Sequence, residues 1–240
     1  YKNSESSSIH DKMIQSFNRA EYKGVIMKNR SIIAVFYIIG LTFLSLGISL
    51  IILADLGAGA WDAMYVGLNE HFGLSVGTWI FIVGILLIFV NALLLKKRID
   101  VSAVIPVLGV GFLIDFWLLF VFANFQVPML AIQLAMLGGG VAVIAVGIAC
   151  YLQSKIARNP MDTLMIAIQT ITGKSMAVSK TMMELGVLII AFLLGGPIGL
   201  GTIFVTLMIG PMIQFFYRPV TKLRNHLCED ANRGPIKVNS

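Results

Sequence analysis

The chain is written twice, and each copy holds an odd number of apolar runs long enough to cross a membrane, which predicts two copies facing opposite ways in a bilayer. Gly40, Gly47 and Ile48 recur as Gly140, Gly147 and Ile148. Trp61-Asp62-Ala63-Met64 is answered by Met161-Asp162-Thr163-Leu164, and Gly73-Leu74-Ser75 by Gly173-Lys174-Ser175. After a one-residue slip, Gly111, Ile114 and Phe116 meet Gly210, Ile213 and Phe215. Chance matching of apolar stretches does not keep Gly, Asp and Ser in one register over such a length.

Six uncharged or nearly uncharged runs supply the spans: Ser31 to Ala54, Ser75 to Leu95, Val101 to Asn124, Val127 to Gln153, Ser175 to Leu194, and Leu200 to Phe216. Crossing a hydrocarbon core takes roughly 20 helical residues. With 58% hydrophobic and only 12% charged residues and a mean hydropathy of +0.88, the chain cannot clothe a soluble domain in polar surface. The runs are continuous rather than alternating, which excludes a barrel. The expected fold is an all-α integral membrane bundle of six transmembrane helices. Two inverted-topology three-helix repeats, at 31–124 and 127–217, lie between basic tails at 1–30 and 218–240.

Lys and Arg fix the orientation. They fill the first tail, the connection with Lys96, Lys97 and Arg98, the connection with Lys155, Arg158 and Lys174, and the last tail with Arg218, Lys222 and Arg224. The other three connections, Asp55 to Leu74, Phe125 to Gln126 and Gly195 to Gly199, contain neither. The positive-inside rule then predicts cytoplasmic N- and C-termini in a plasma membrane. The net charge of +6 is a topology signal spread over loops, not a nucleic-acid patch. Ile9, Met13 and Phe17 allow an interfacial helix in the first tail or none at all. The first run is too long for a cleaved signal and reads as an anchor. Cys150 and Cys228 support no disulfide framework.

Between the first and second span of each copy sits a segment too short to cross, Trp61 to Phe72 and Met161 to Thr172, each about 18 Å long as a helix. Both end at a glycine suited to a left-handed cap, and Ser75 or Ser175 follows as the N-cap of the next helix. Paired half-helices in inverted halves point to a central site. Gly40 with Gly47, and Gly140 with Gly147, put small residues two turns apart for close helix contact. Pro106 and Pro211 predict kinks in the closing spans.

The run Leu56 to Asp62, then Gly73-Leu74-Ser75-Val76-Gly77, Gly195 to Thr202 and Ile209 to Gln214 together resemble the YczE/YyaS/YitT group of bacterial multi-pass membrane proteins, nearest its YczE branch. Ala60 departs from that pattern where it has Pro, and Asn159, Met161 and Thr163 depart where it has Gly, Arg and Gly. The resemblance implies a plasma-membrane protein with no assigned reaction.

Eight residues are candidates for a solute site. Asp62 and Asp162 stand in the first turns of the half-helices, where a carboxylate also serves the helix dipole. Asn69 and Gln169 lie two turns on along the same faces. Asp115 is a lone carboxylate in the third span, a proton or cation coupling site or an interhelical hydrogen-bonding group. Its counterpart is Gln214. Lys180 and Glu184, one turn apart in the fifth span, form a self-neutralising pair or a solute contact. Met176, Met182 and Met183 read as packing residues.

Gly73 to Gly77 mimics a nucleophile elbow but joins two helices, and His71 is answered by Ile171. Gly173-Lys174-Ser175 lacks the first glycine of a phosphate loop, since Ile168 stands there. His10, His71 and His226 are scattered. No enzyme activity, catalytic residue, cofactor or metal is expected. The function expected is secondary transport of a small solute by alternating access, with proton or cation coupling open. The alternative is a non-transport membrane factor that stabilises or positions a partner protein. Membrane lipids are the implied surroundings, and a homo-oligomer or protein partner stays open.

Overall fold

The computed structural model describes residues 30–125, 129–154 and 156–232. The tail with Ile9, Met13 and Phe17, the Gln126 connection, Lys155 and residues 233–240 lie outside these. The described residues form eight α-helices: α1 (Arg30–Ala54), α2 (Ala60–Phe72), α3 (Val76–Leu95), α4 (Val104–Asp115), α5 (Leu130–Ser154), α6 (Pro160–Thr172), α7 (Met176–Leu193) and α8 (Leu200–Asn232). A 3₁₀ turn at Val101–Ala103 leads into α4, and a π-helical stretch at Phe116–Val121 continues it.

Five of these helices are long and apolar enough to cross a membrane: α1, α3, α4 with its extensions, α5 and α8. The sixth expected span, α7, has 18 residues and carries Lys180 and Glu184. Leu93, Phe112, Phe120, Phe192, Leu193, Leu200 and Phe215 are between 71% and 84% exposed. Bare aromatic and aliphatic side chains in such number are stable against lipid tails, not water. The chain is a multi-pass integral membrane protein.

Both half-helices form, at 13 residues each. Their C-caps are Gly73 at φ 68° and Gly173 at φ 66°, a backbone region that a Cβ disfavours. The Ser75 and Ser175 side chains accept from the N–H groups of Thr78 and Val178 and so start α3 and α7. Asn159 caps α6 by accepting from Met161 N, with Pro160 preset in the first turn.

Helices α1 and α5 cross through their glycines. Gly40 lies against Gly147 and Tyr151, and Gly47 against Gly140 and Ile144, so the two run antiparallel. A Cβ on Gly47 would stand 2.6 Å from the Gly140 carbonyl oxygen. Beyond this crossing, α2 packs on α7, α6 packs on α3, α3 on α4 and α5 on α8.

Two expectations change. The last helix does not stop near Phe216 but continues to Asn232, so the first part of the basic tail at 218–240 is helical. Thr221 ties it to α5 by receiving a bond from Gln153 Nε2 at 2.5 Å, and Arg224 Nη1 donates to the Gln153 carbonyl at 3.3 Å. Neither proline interrupts its helix: Pro106 falls in the first turn of α4, and α8 runs through Pro211. A missing N–H is tolerated in a first turn, where few i→i−4 bonds have begun.

Candidate functional site

A cavity of about 450 Å³ opens between the two halves. Its polar lining comes from the starts of the half-helices, Asp62 on α2 with Asn159 and Asp162 at α6, and from Tyr65, Tyr151, Lys180 and Glu184. The rest is apolar. Leu44 and Ile48 of α1 face Ile144 and Ile148 of α5, their counterparts in the other copy, with Ile209 and Ile213 of α8 completing the wall.

The two aspartates sit in matching places with unlike surroundings. Asp162 Oδ2 accepts from the Tyr151 hydroxyl at 3.0 Å and feels the charges of Lys180 and Arg158. Lys180 Nζ also stands 3.7 Å from Glu184 Oε1, which makes the expected one-turn pair. Asp62 forms no hydrogen bond and has no cation beside it among the described residues. Tyr65, one turn further along α2, is 1% exposed, and its hydroxyl has no hydrogen-bond partner. Trp61 and Tyr65 present their rings side by side, with centroids 6.4 Å apart. No three His, Cys, Asp or Glu side chains among the described residues gather closely enough to hold a metal ion.

The cavity adjoins a second one toward one end of the bundle. Tyr151, Leu152 and Asp162 also line a recess of about 880 Å³ that reaches Asp100, Ser102 and Arg158 at the basic end. At the opposite end the backbone closes on itself. Ala58 N donates to Pro197 O at 2.9 Å and Gly201 N to Leu56 O at 2.7 Å. Gly57, at φ +109°, leaves no room for a Cβ, which would lie 2.5 Å from Gly199 N. Gly196 in turn fits against the Ala63 carbonyl. The runs Leu56 to Asp62 and Gly195 to Thr202, far apart in sequence, are thus one packed unit.

Four of the eight candidate residues meet in the cavity: Asp62, Asp162, Lys180 and Glu184. The other four lie elsewhere. Asp115 Oδ1 accepts from Gly77 N at 2.8 Å and Oδ2 from Ser75 Oγ at 2.5 Å, which fastens the end of α4 to the start of α3. Gly77 and Gly111 allow that approach by packing backbone on backbone. Asn69 donates its amide to Leu74 O and closes the turn after α2. Gln169 and Gln214 are absent from the cavity lining, and Gln214 is exposed on α8. Tyr65, Tyr151 and Asn159 are lining residues that sequence reasoning missed. Spacing alone would have found Tyr65, three residues after Asp62. Tyr151 reaches the site only through the meeting of α5 and α6.

Comparison with known proteins agrees with the membrane architecture. The chain is 34% identical to the Bacillus subtilis (strain 168) protein YyaS over 200 residues, 83% of this chain and 98% of that one. It is 33% identical to the membrane protein YczE of the same organism over 195 residues, 80% of this chain and 88% of YczE. A Haemophilus influenzae protein is 28% identical over 189 residues, 76% of this chain and 82% of the relative. No solved structure matches the chain. The family of unknown function DUF6198 matches residues 31–218, from the first turn of α1 into α8, and the chain belongs to that family.

Proposed function

We propose that this protein is a secondary transporter of a small solute, working by alternating access between two inverted three-helix repeats in the plasma membrane. The observation that carries the reading is the central cavity, walled by the starts of both half-helices, adjoining a recess at the basic end, with the backbone closed at the other. By the positive-inside rule the basic end is cytoplasmic, as are both termini, so the conformation is inward-facing.

Exchange of the two copies supports the inverted arrangement. Gly40 against Gly147 becomes Gly140 against Gly47, which is the other contact of the same crossing. Packing of α2 on α7 becomes packing of α6 on α3 in the same way. The exchange fails where α3 is fastened to α4 through Asp115, since the second copy offers exposed Gln214, and where Tyr151 bonds Asp162, since the first copy offers Ile51. A bundle tight at one end and loose at the other is what one of two alternating states requires.

The test is accessibility with flux. With Cys150→Ala and Cys228→Ser in place, a cysteine at Ile148 should react with a charged thiol reagent from the cytoplasmic side, and a transported solute should slow that reaction. Purified protein in liposomes should then move the same solute. Stoichiometric co-purification of a partner protein, with no solute moving and no solute-dependent labelling, would replace transport by a scaffolding role.

A further inference from the structure

The cavity's charges do not balance, and the imbalance is local. Asp62, Asp162 and Glu184 face two cations, Lys180 and Arg158, and both cations act at the Asp162 side. Asp162 is served besides by the Tyr151 hydroxyl. What is left over is Asp62, with no donor and no cation among the described residues, next to a Tyr65 hydroxyl that is buried and unpartnered. A buried hydroxyl without a partner is costly, and so is an uncompensated carboxylate in apolar surroundings. A ligand that brings a positive charge and a hydrogen-bonding group would complete both.

The geometry points to a monovalent organic cation as the ligand, an ammonium seated between the Asp62 carboxylate, the Tyr65 hydroxyl and the Trp61 ring, with its apolar body along Ile48, Ile144 and Ile148. This rests on the transport reading for its physiological meaning and names the class of solute for that site. Three features select it. One uncompensated carboxylate matches one positive charge. Trp61, half-buried in the cavity wall, offers an indole ring, which attracts ammonium groups and does not repel an alkyl substituent. Apart from the polar groups gathered about Asp162, the remaining wall is aliphatic, whereas a bare inorganic cation needs oxygen ligands on nearly all sides. An anionic solute would meet Asp62 without a counter-charge.

Binding is measured on the full chain in lipid nanodiscs, against protein-free nanodiscs, with 3-phenylpropylammonium as the probe. The neutral and anionic isosteres, 3-phenylpropanol and 3-phenylpropionate, serve as comparisons on the same unmodified protein. The ammonium should bind at least about tenfold more tightly than either isostere. Asp62→Asn should remove that preference, while Asp162→Asn should change it by less than about threefold. Tyr65→Phe should weaken the primary ammonium severalfold and leave its N,N,N-trimethyl derivative unchanged, because only the former donates a hydrogen bond. Equal binding of the neutral or anionic isostere overturns the assignment without recourse to any variant's folding. Displacement of the probe by sodium or potassium ions at equal concentration overturns it in favour of an inorganic site. Flux in liposomes is read separately. Ammonium binding with no flux supports this site and removes the transport reading. Flux of a solute without any cation preference removes this site alone.

Discussion

Asp115 and Asp62 are aspartates with apolar neighbours, and they use their oxygens in opposite ways. Asp115 spends both on groups of another helix, Gly77 N and Ser75 Oγ. Its replacement by Ala strands two donors, and thermal unfolding in detergent should report a loss of about 1–3 kcal/mol. Asp62 has no such bond to lose. Asp62→Asn should therefore melt no lower than the unchanged protein in the same assay, since it removes a desolvated carboxyl group that makes no hydrogen bond. A large drop in melting temperature would show that Asp62 holds the fold rather than a ligand. The sequence marked Asp115 as a charge where charges are rare, and that rule says nothing about the side a helix turns to its neighbours. Asp62 and Asp162 could be placed better because the repeat put them at the same step of two half-helices. Gln214 could not: it matches Asp115 in register, yet α8 turns it outward.

Element boundaries followed from local chemistry wherever a cap was present. Ser75, Ser175 and the two glycines ending the half-helices act where their residue types predict. The far end of α8 did not follow, because hydropathy marks where a membrane ends, and a helix ends only where its backbone finds other partners. Here Thr221 and Arg224 hold the helix against the end of α5. The π-helical stretch after Asp115 had no sequence signal either, since it depends on how α4 meets its neighbours. The crossing of α1 and α5 was legible from glycine spacing, and it gives a firm prediction. A Cβ on Gly147 would lie 2.5 Å from Leu44 N. Gly147→Leu should cost about 1–3 kcal/mol or more through overpacking, and disulfide formation between cysteines at Leu44 and Ile144 should fall in parallel. Normal cross-linking in a stable Gly147→Leu protein would mean that the helices do not meet there.

At the scale of the molecule, the proposed topology rests on the two-copy pattern. Cysteines at Arg98 and Gly195 should be labelled by an impermeant reagent from opposite sides of the membrane, Arg98 from the cytoplasm. Labelling of both from one side would undo the inverted arrangement and the conduction pathway with it. What the pattern could not foretell is which end is closed, because a repeat in the sequence favours neither end. The far closure is made of main chain: amides of Ala58 and Gly201 on carbonyls of Pro197 and Leu56. Interlocked side chains can slide past one another and stay dry, but parted peptide groups in hydrocarbon each demand a new partner. Were that end to open in the proposed cycle, water would have to enter as the two backbone runs separate, and wetting would then set the pace.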